Sequence, residues 1–204
     1  MIKNKTLSGF EIKIPSTFNK YHVVDFIGCG SFSVAYKVQQ IKSHEEYAAK
    51  IISIQDMKNQ NFTDFITNEI NIIKKVDHPN IIKFIESFSI INDENEELYV
   101  IITEFCSNGN LHDYMNIMGY LDDEDIKIIN KGLAKAVSYL HSIKIAHCDI
   151  KLNNILLDEN YNPKLCDFNL SKDEYFKYEN DECGGTFPYS APETYEEGPI
   201  DFYK

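Results

Sequence analysis

At 204 residues, with 43% hydrophobic content and a formal net charge of −12, the chain is long enough to bury a core as one domain or as two small lobes. The acidic balance argues against a nucleic-acid or anionic-membrane partner, because cationic side chains carry the nonspecific part of both interactions. No apolar run approaches the length of a membrane span, and the five scattered cysteines lack zinc-type spacing, so the expectation is a reduced, cytoplasmic protein.

Residues 1–20 read as an N-terminal extension of mixed polar sequence. Tyr21 to Ile27, Ala35 to Val38 and Glu46 to Ile52 are short, rich in β-branched or aromatic residues and separated by Gly-rich or polar breaks, which predicts antiparallel strands. From Phe62 to Val76 the period changes: Phe62, Phe65, Ile66, Ile70, Ile73 and Val76 recur every three or four residues, one face of a helix. Ile81 to Ile90 and Leu98 to Phe105 are two further strands joined by an acidic loop. After Gly109 the character turns helical. Ile126, Ile129, Leu133, Val137 and Leu140 form a stripe, with Asp122 as the expected N-cap and acidic residues in the first turn. Five strands with one helix, then helices, predict an α+β arrangement with a boundary near Cys106 to Asn110.

Several positions carry chemistry. Gly28-Cys29-Gly30-Ser31-Phe32-Ser33 lies between two predicted strands, where glycines let backbone amides approach phosphates; taken alone it fits an ordinary glycine-rich hairpin equally well. A dinucleotide-binding βαβ unit is disfavoured, because the second element reads as a strand. Lys50 alone is a solvated strand end. Glu69, however, falls on the apolar stripe of its helix, and a buried carboxylate is costly unless a cation meets it. Lys50 is the candidate partner. The densest signal is His147-Cys148-Asp149-Ile150-Lys151-Leu152-Asn153-Asn154, followed by Cys166-Asp167-Phe168-Asn169. Asp149 can orient a hydroxyl, Asn154 and Asp167 are hard oxygen ligands suited to magnesium, and Lys151 can neutralise a transferring phosphoryl group.

With these motifs in this order, the chain resembles the eukaryotic protein kinase family, serine/threonine type, from Tyr21 to the C-terminus. The resemblance implies an α+β, bilobal fold: a five-stranded antiparallel N-lobe with one helix over 21–105, and an incomplete, mainly helical C-lobe over 106–204. It implies ATP and Mg2+ as cofactors and a protein Ser/Thr hydroxyl as substrate, with no nucleic-acid or membrane partner. It places Ile27, Gly28 and Gly30 over the nucleotide, Ala35, Ala48 and Leu156 around adenine, and Lys50, held by Glu69, on the α and β phosphates. Thr103 becomes the gatekeeper, with Glu104 and Cys106 in the hinge that bonds adenine. Asp149 becomes the catalytic aspartate with Lys151 and Thr186 beside it, and Asn154 and Asp167 the metal ligands. His147, Phe168, Ile73 and Phe84 are expected to stack, and Cys29 and Cys166 to act as small apolar fillers rather than reactive thiols.

The sequence also departs from the family. Ser33 replaces the third glycine of the phosphate loop. Asn169 replaces the glycine after Asp167-Phe168 and is expected to take its left-handed backbone. Cys148 replaces the arginine that clamps an activation-segment phosphate, and the 20 basic residues are all lysine. Between Asp167 and Gly185 the candidate phosphorylated hydroxyls are Ser171, Tyr175 and Tyr178. Gly185 to Glu193 resembles the end of the activation segment, and the chain ends where the family's central helix, expected to cover the Ile126 to Leu140 stripe, would begin. The alternative expectation is therefore a catalytically weak nucleotide-binding or interaction protein of the pseudokinase kind.

Overall fold

The computed structural model describes residues 2–31, 33–53, 63–173, 185–190 and 192. Phe32, Phe62, the Phe65 side chain, Tyr175, Tyr178, Cys183, Ala191, Glu193 and the terminal 198–204 lie outside the described residues. Packing divides the chain into two compact units, one of residues 1–64 and 84–105, the other of 65–83 and 106–204.

In the first unit the expected extension is folded. Glu11-Ile12-Lys13-Ile14 alternates polar and apolar residues, the pattern of a half-buried strand. Accordingly β1 (Ile2–Lys5) and β2 (Glu11–Ile14) form an antiparallel hairpin with Ile2 opposite Ile14 and Lys5 opposite Glu11. Next come β3 (Thr17–Phe18), β4 (Tyr21–Cys29), β5 (Ser33–Gln40), β6 (Glu46–Ser53), β7 (Phe84–Ile91) and β8 (Glu97–Glu104). They build one antiparallel sheet of six strands in the order β3-β4-β5-β6-β8-β7. Its five long strands are those expected, and β3 is a short addition at the edge. Alternation gives the sheet two faces. Val34, Tyr36 and Val38 of β5, Ala49 and Ile51 of β6, and Leu98, Val100 and Ile102 of β8 share a core with Ile12, Ile14 and Phe18. Each such buried aliphatic side chain contributes about 1.5 to 3 kcal/mol, so the hairpin is an integral layer of this unit.

Ile81 and Ile82, expected to begin a strand, fold with the second unit instead. The Ile82 N–H donates to Leu165 O at 2.9 Å and the Leu165 N–H to Asn80 O at 2.9 Å. The Asn80 amide fixes the turn that diverts them by donating to Pro163 O at 3.0 Å.

The second unit contains α1 (Thr63–Ile73) from residue 65 onward, α2 (Leu111–Met118) and α3 (Asp123–Ser142), followed by β9 (Ile145–Ala146), β10 (Ile155–Leu157), β11 (Pro163–Leu165) and β12 (Lys172–Asp173). Asn110 caps α2 by accepting the Asp113 N–H at 2.9 Å, and Gly119 closes it with φ +79, a left-handed value that glycine tolerates. Asp122 caps α3 as expected, accepting the N–H groups of Glu124 and Asp125. The buried face of α3 is rotated from the expected stripe: it runs through Ile129, Gly132, Ala136 and Leu140, while Leu133 and Val137 are half-buried and Ile126 is exposed. Of these, Gly132 faces β11. A Cβ on Gly132 would stand 2.5 Å from Pro163 Cγ, so the close approach of helix and strand requires a glycine.

Candidate active site

Between β9 and β10 the chain forms a single 3-10 turn, Leu152–Asn154, and polar groups of this loop are satisfied by one another. His147 is buried. Its Nδ1 accepts the Asp149 N–H at 3.3 Å, and its Nε2 lies 3.0 Å from Cys166 O. With Nδ1 accepting, the ring must carry its proton on Nε2 and donate it to that carbonyl. Burial pushes the His147 pKa down from its ordinary value, against the opposing pull of Cys166 O and the nearby aspartates. The neutral imidazole packs edge-on against Phe168, with ring centroids 4.9 Å apart.

The His147 ring positions the backbone of Asp149, whose carboxylate is also buried. Thr186 Oγ1 donates to Asp149 Oδ1 at 2.7 Å. Lys151 Nζ donates to Oδ2 at 2.8 Å and to Thr186 Oγ1 at 2.8 Å. Asn154 Nδ2 donates to Oδ2 and to the Asp149 carbonyl, both at 2.9 Å. A buried carboxylate is thus compensated by one cation and two neutral donors. Because the Asn154 nitrogen is committed to Asp149, its Oδ1 is the atom left for a cation. The Cys166 N–H donates to Asn154 O at 2.9 Å, which fixes the residue next to Asp167 against Asn154. An amide oxygen and a carboxylate are the hard donors that magnesium takes, with water and phosphate completing its octahedron. The residues present fit that ion. No group of three or more His, Cys, Asp or Glu among the described residues forms a separate metal site.

Two backbone positions here are left-handed without being glycine: Cys148 at φ +64 and Asp167 at φ +66. Each such residue costs on the order of 1–3 kcal/mol and persists where its surroundings over-determine it. Asn169 was expected to adopt this conformation; Asp167 adopts it instead, and Asn169 Oδ1 is buried with no hydrogen-bond partner among the described residues.

Sequence reasoning missed the supports of this loop. Ser171, expected as a phosphorylation candidate, is fully buried and its Oγ donates to His147 O at 3.0 Å, so it is not accessible for modification. Asn68 Nδ2 donates to Ser171 O at 2.7 Å, and Lys75 Nζ to Asp173 Oδ2 at 2.8 Å. The first bond ties α1, and the second the turn just after it, to the segment after Phe168. Glu69 lies on that helix, buried as the stripe required. The signal for Asn68 was available: a polar residue next to Glu69 on a largely buried helix needs a partner.

In the first unit the predicted nucleotide residues gather on the sheet face opposite its core. Ala35 pairs with Lys50, Ala48 with Thr103, Lys50 with Ile101 and Gly28 with Ala35. Directly opposed residues of antiparallel strands project to the same side, so Ala35, Ala48, Lys50 and Thr103 share one surface. Glu104 ends β8, and Ile27 is exposed on β4. Cys29 is exposed in the glycine-rich loop, which overturns its reading as an apolar filler. In the second unit Cys106 is buried, as a filler would be, Cys166 is half-buried, and Leu156 is half-buried on β10.

The chain belongs to the protein kinase domain family, whose pattern matches residues 21–202. That family uses ATP and Mg2+ to phosphorylate proteins. Over 180 residues the chain is 37% identical to a protein described as a probable myosin light chain kinase of Dictyostelium discoideum, covering 87% of this chain and 36% of the relative. It is 36% identical over 184 residues to the serine/threonine-protein kinase RUNKEL of Arabidopsis thaliana, covering 89% of this chain and 13% of the relative. With the serine/threonine-protein kinase fused of Drosophila melanogaster it shares 33% identity over 186 residues, covering 91% and 22% respectively. The chain therefore spans about a third or less of the length of these relatives. No helix among the described residues is long and apolar enough to cross a membrane.

Proposed function

We propose that the chain is an ATP- and magnesium-dependent protein serine/threonine kinase, with Asp149 as its catalytic aspartate. The observation that carries this reading is the Asp149 carboxylate, held by Thr186 on Oδ1 and by Lys151 and Asn154 on Oδ2. A carboxylate fixed on both oxygens is oriented to accept the proton of an incoming serine or threonine hydroxyl. The hydroxyl oxygen then bonds to the γ-phosphorus, and the bond to the bridging oxygen of ADP breaks. Lys151 supplies positive charge beside the developing phosphoryl charge, and Lys50 does so toward the α and β phosphates. Magnesium, when bound through Asn154 Oδ1 and Asp167, neutralises phosphate charge. The serine/threonine preference is supported by the Thr186–Lys151 bond beside Asp149 and by the similarity to serine/threonine-protein kinases of Arabidopsis and Drosophila. Asp167→Asn and Lys50→Ala should each abolish transfer of labelled phosphoryl groups to serine and threonine peptides. A wild-type rate in Asp167→Asn would overturn the assignment.

A further inference from the structure

We propose that hairpin β1–β2 is an intramolecular brace on the glycine-rich loop, with the Leu7 main-chain N–H as a positioning group for nucleotide binding. The proposal rests on the reading of the glycine-rich loop that Gly28 and Gly30 shape as the segment lying over the phosphates. The hairpin lies before the residues matched by the kinase family pattern, which begin at 21. Its base is immobilised: Ile12 and Ile14 are 1% and 0% exposed, Asn4 Nδ2 donates to Tyr36 OH at 2.7 Å, and Asn92 Nδ2 donates to Lys13 O at 3.0 Å. Its tip has a different character. The Leu7 side chain is 72% exposed, so packing does not hold it.

Backbone bonds hold it instead. The Thr6 N–H donates to Phe10 O at 2.8 Å and the Gly9 N–H to Thr6 O at 3.0 Å, while the Leu7 N–H donates to Gly30 O at 2.8 Å. Gly30 is then fixed through both its backbone groups, since its own N–H donates to Ser33 O at 2.8 Å. A Cβ there would stand 2.9 Å from Ser33 Oγ, so a larger residue would have to turn that hydroxyl aside. Glycine loses more conformational freedom on ordering than any other residue. A Gly30 already ordered by a rigid hairpin spares the nucleotide that cost, which is how preorganisation raises affinity. The gain is present in the ground state and in the transition state alike, so it belongs in the KM for ATP and not in kcat.

Leu7 occupies the second position of the turn closed by the Gly9 N–H and Thr6 O, a position that suits the fixed φ of proline. Leu7→Pro therefore removes one N–H and leaves the core untouched, whereas Leu7→Ala keeps the N–H and removes the side chain. Two readouts separate the brace from the kinase reading. By hydrogen exchange, Leu7→Pro should speed exchange of the amides around Gly28 to Ser33, with Glu46–Ser53 unchanged and Leu7→Ala like wild type. By steady-state kinetics on the full chain, Leu7→Pro should raise the KM for MgATP about threefold to tenfold, the worth of one hydrogen bond, at constant kcat. Equal loop exchange in the two variants, or faster exchange with an unchanged KM, overturns the proposal. If wild type neither binds MgATP nor transfers phosphate, the kinase reading and the nucleotide role fall together, while the exchange data still decide whether the hairpin restrains the loop. Should Leu7→Pro not fold, the wild-type Leu7 amide decides: protection of at least about tenfold is expected, and exchange at the unprotected rate overturns the brace.

Discussion

Gly132→Ala should destabilise the protein, although helix propensity alone points the other way. In an exposed helix interior, alanine gains about 1 kcal/mol over glycine. At position 132 the new Cβ would lie 2.5 Å from Pro163 Cγ and 2.9 Å from Asn80 Nδ2, well inside the roughly 3.5 to 4.0 Å optimum for carbon contacts. Neither neighbour yields freely. Pro163 is a rigid ring within β11, and the Asn80 amide is engaged with Pro163 O. Overpacking of this kind costs about 1–3 kcal/mol, and loss of the Asn80 bond about 1 more. Set against the propensity gain, the net is a loss of about 1–3 kcal/mol. Urea unfolding followed by circular dichroism reads this as a lower midpoint at unchanged slope. Ser138→Ala, on the exposed side of the same helix, is the control and should gain a few tenths of a kcal/mol. A Gly132→Ala protein as stable as wild type or more so would refute the close approach of α3 to β11.

Thr186→Val keeps the shape of the side chain but removes the hydroxyl from both Asp149 and Lys151. Phosphoryl transfer should fall about tenfold to a hundredfold, matching loss of a charge-assisted bond of about 1.5 to 3 kcal/mol, and Thr186→Ser should restore most of it. Activity should survive phosphatase treatment, since Cys148 cannot pair with a phosphate; loss of activity on dephosphorylation would defeat this expectation. Stability should decline below about pH 6.5. His147 and His78 both have folded-state pKa values below the ordinary one, chiefly through burial. As pH falls, the unfolded chain takes up protons that the folded chain refuses, and each histidine costs at most about 1.4 kcal/mol per pH unit until its folded pKa is reached. Urea midpoints at about pH 7.5 and 5.5 measure the slope, and equal midpoints would contradict the neutral assignment of His147.

The loop from His147 to Asn154 was legible because its polar residues lie within eight positions of one another. His147, Asp149, Lys151 and Asn154 are close in sequence, and the structure brings them together as the order implied, with Thr186 added from a distant segment. The strands were legible wherever alternation lasted seven or eight residues. Residues 2–14 were not, since two four-residue strands around a polar turn give too few periods to stand out from their composition. On α3 the apolar stripe pointed to Leu133 and Val137, yet the helix buries Gly132 and Ala136 more deeply. Small residues carry no hydrophobic signal, and here their lack of bulk is what the contact requires. Ser171 was misread for a related reason: a hydroxyl does not reveal whether it faces solvent or a buried carbonyl such as His147 O.

The bonds from Asn68 and Lys75 to the segment after Phe168 make α1 part of a linked equilibrium. The exposed Lys75–Asp173 pair contributes little by itself. The buried Asn68 amide is different: parting the two segments breaks its 2.7 Å bond to Ser171 O, worth about 0.5–1.5 kcal/mol. The two segments are therefore energetically coupled, so that a shift of one is opposed by the bond to the other. Linkage then runs both ways: a molecule that binds α1 in one arrangement changes the affinity of anything held by residues 171–173, and that second molecule changes the first affinity by the same factor.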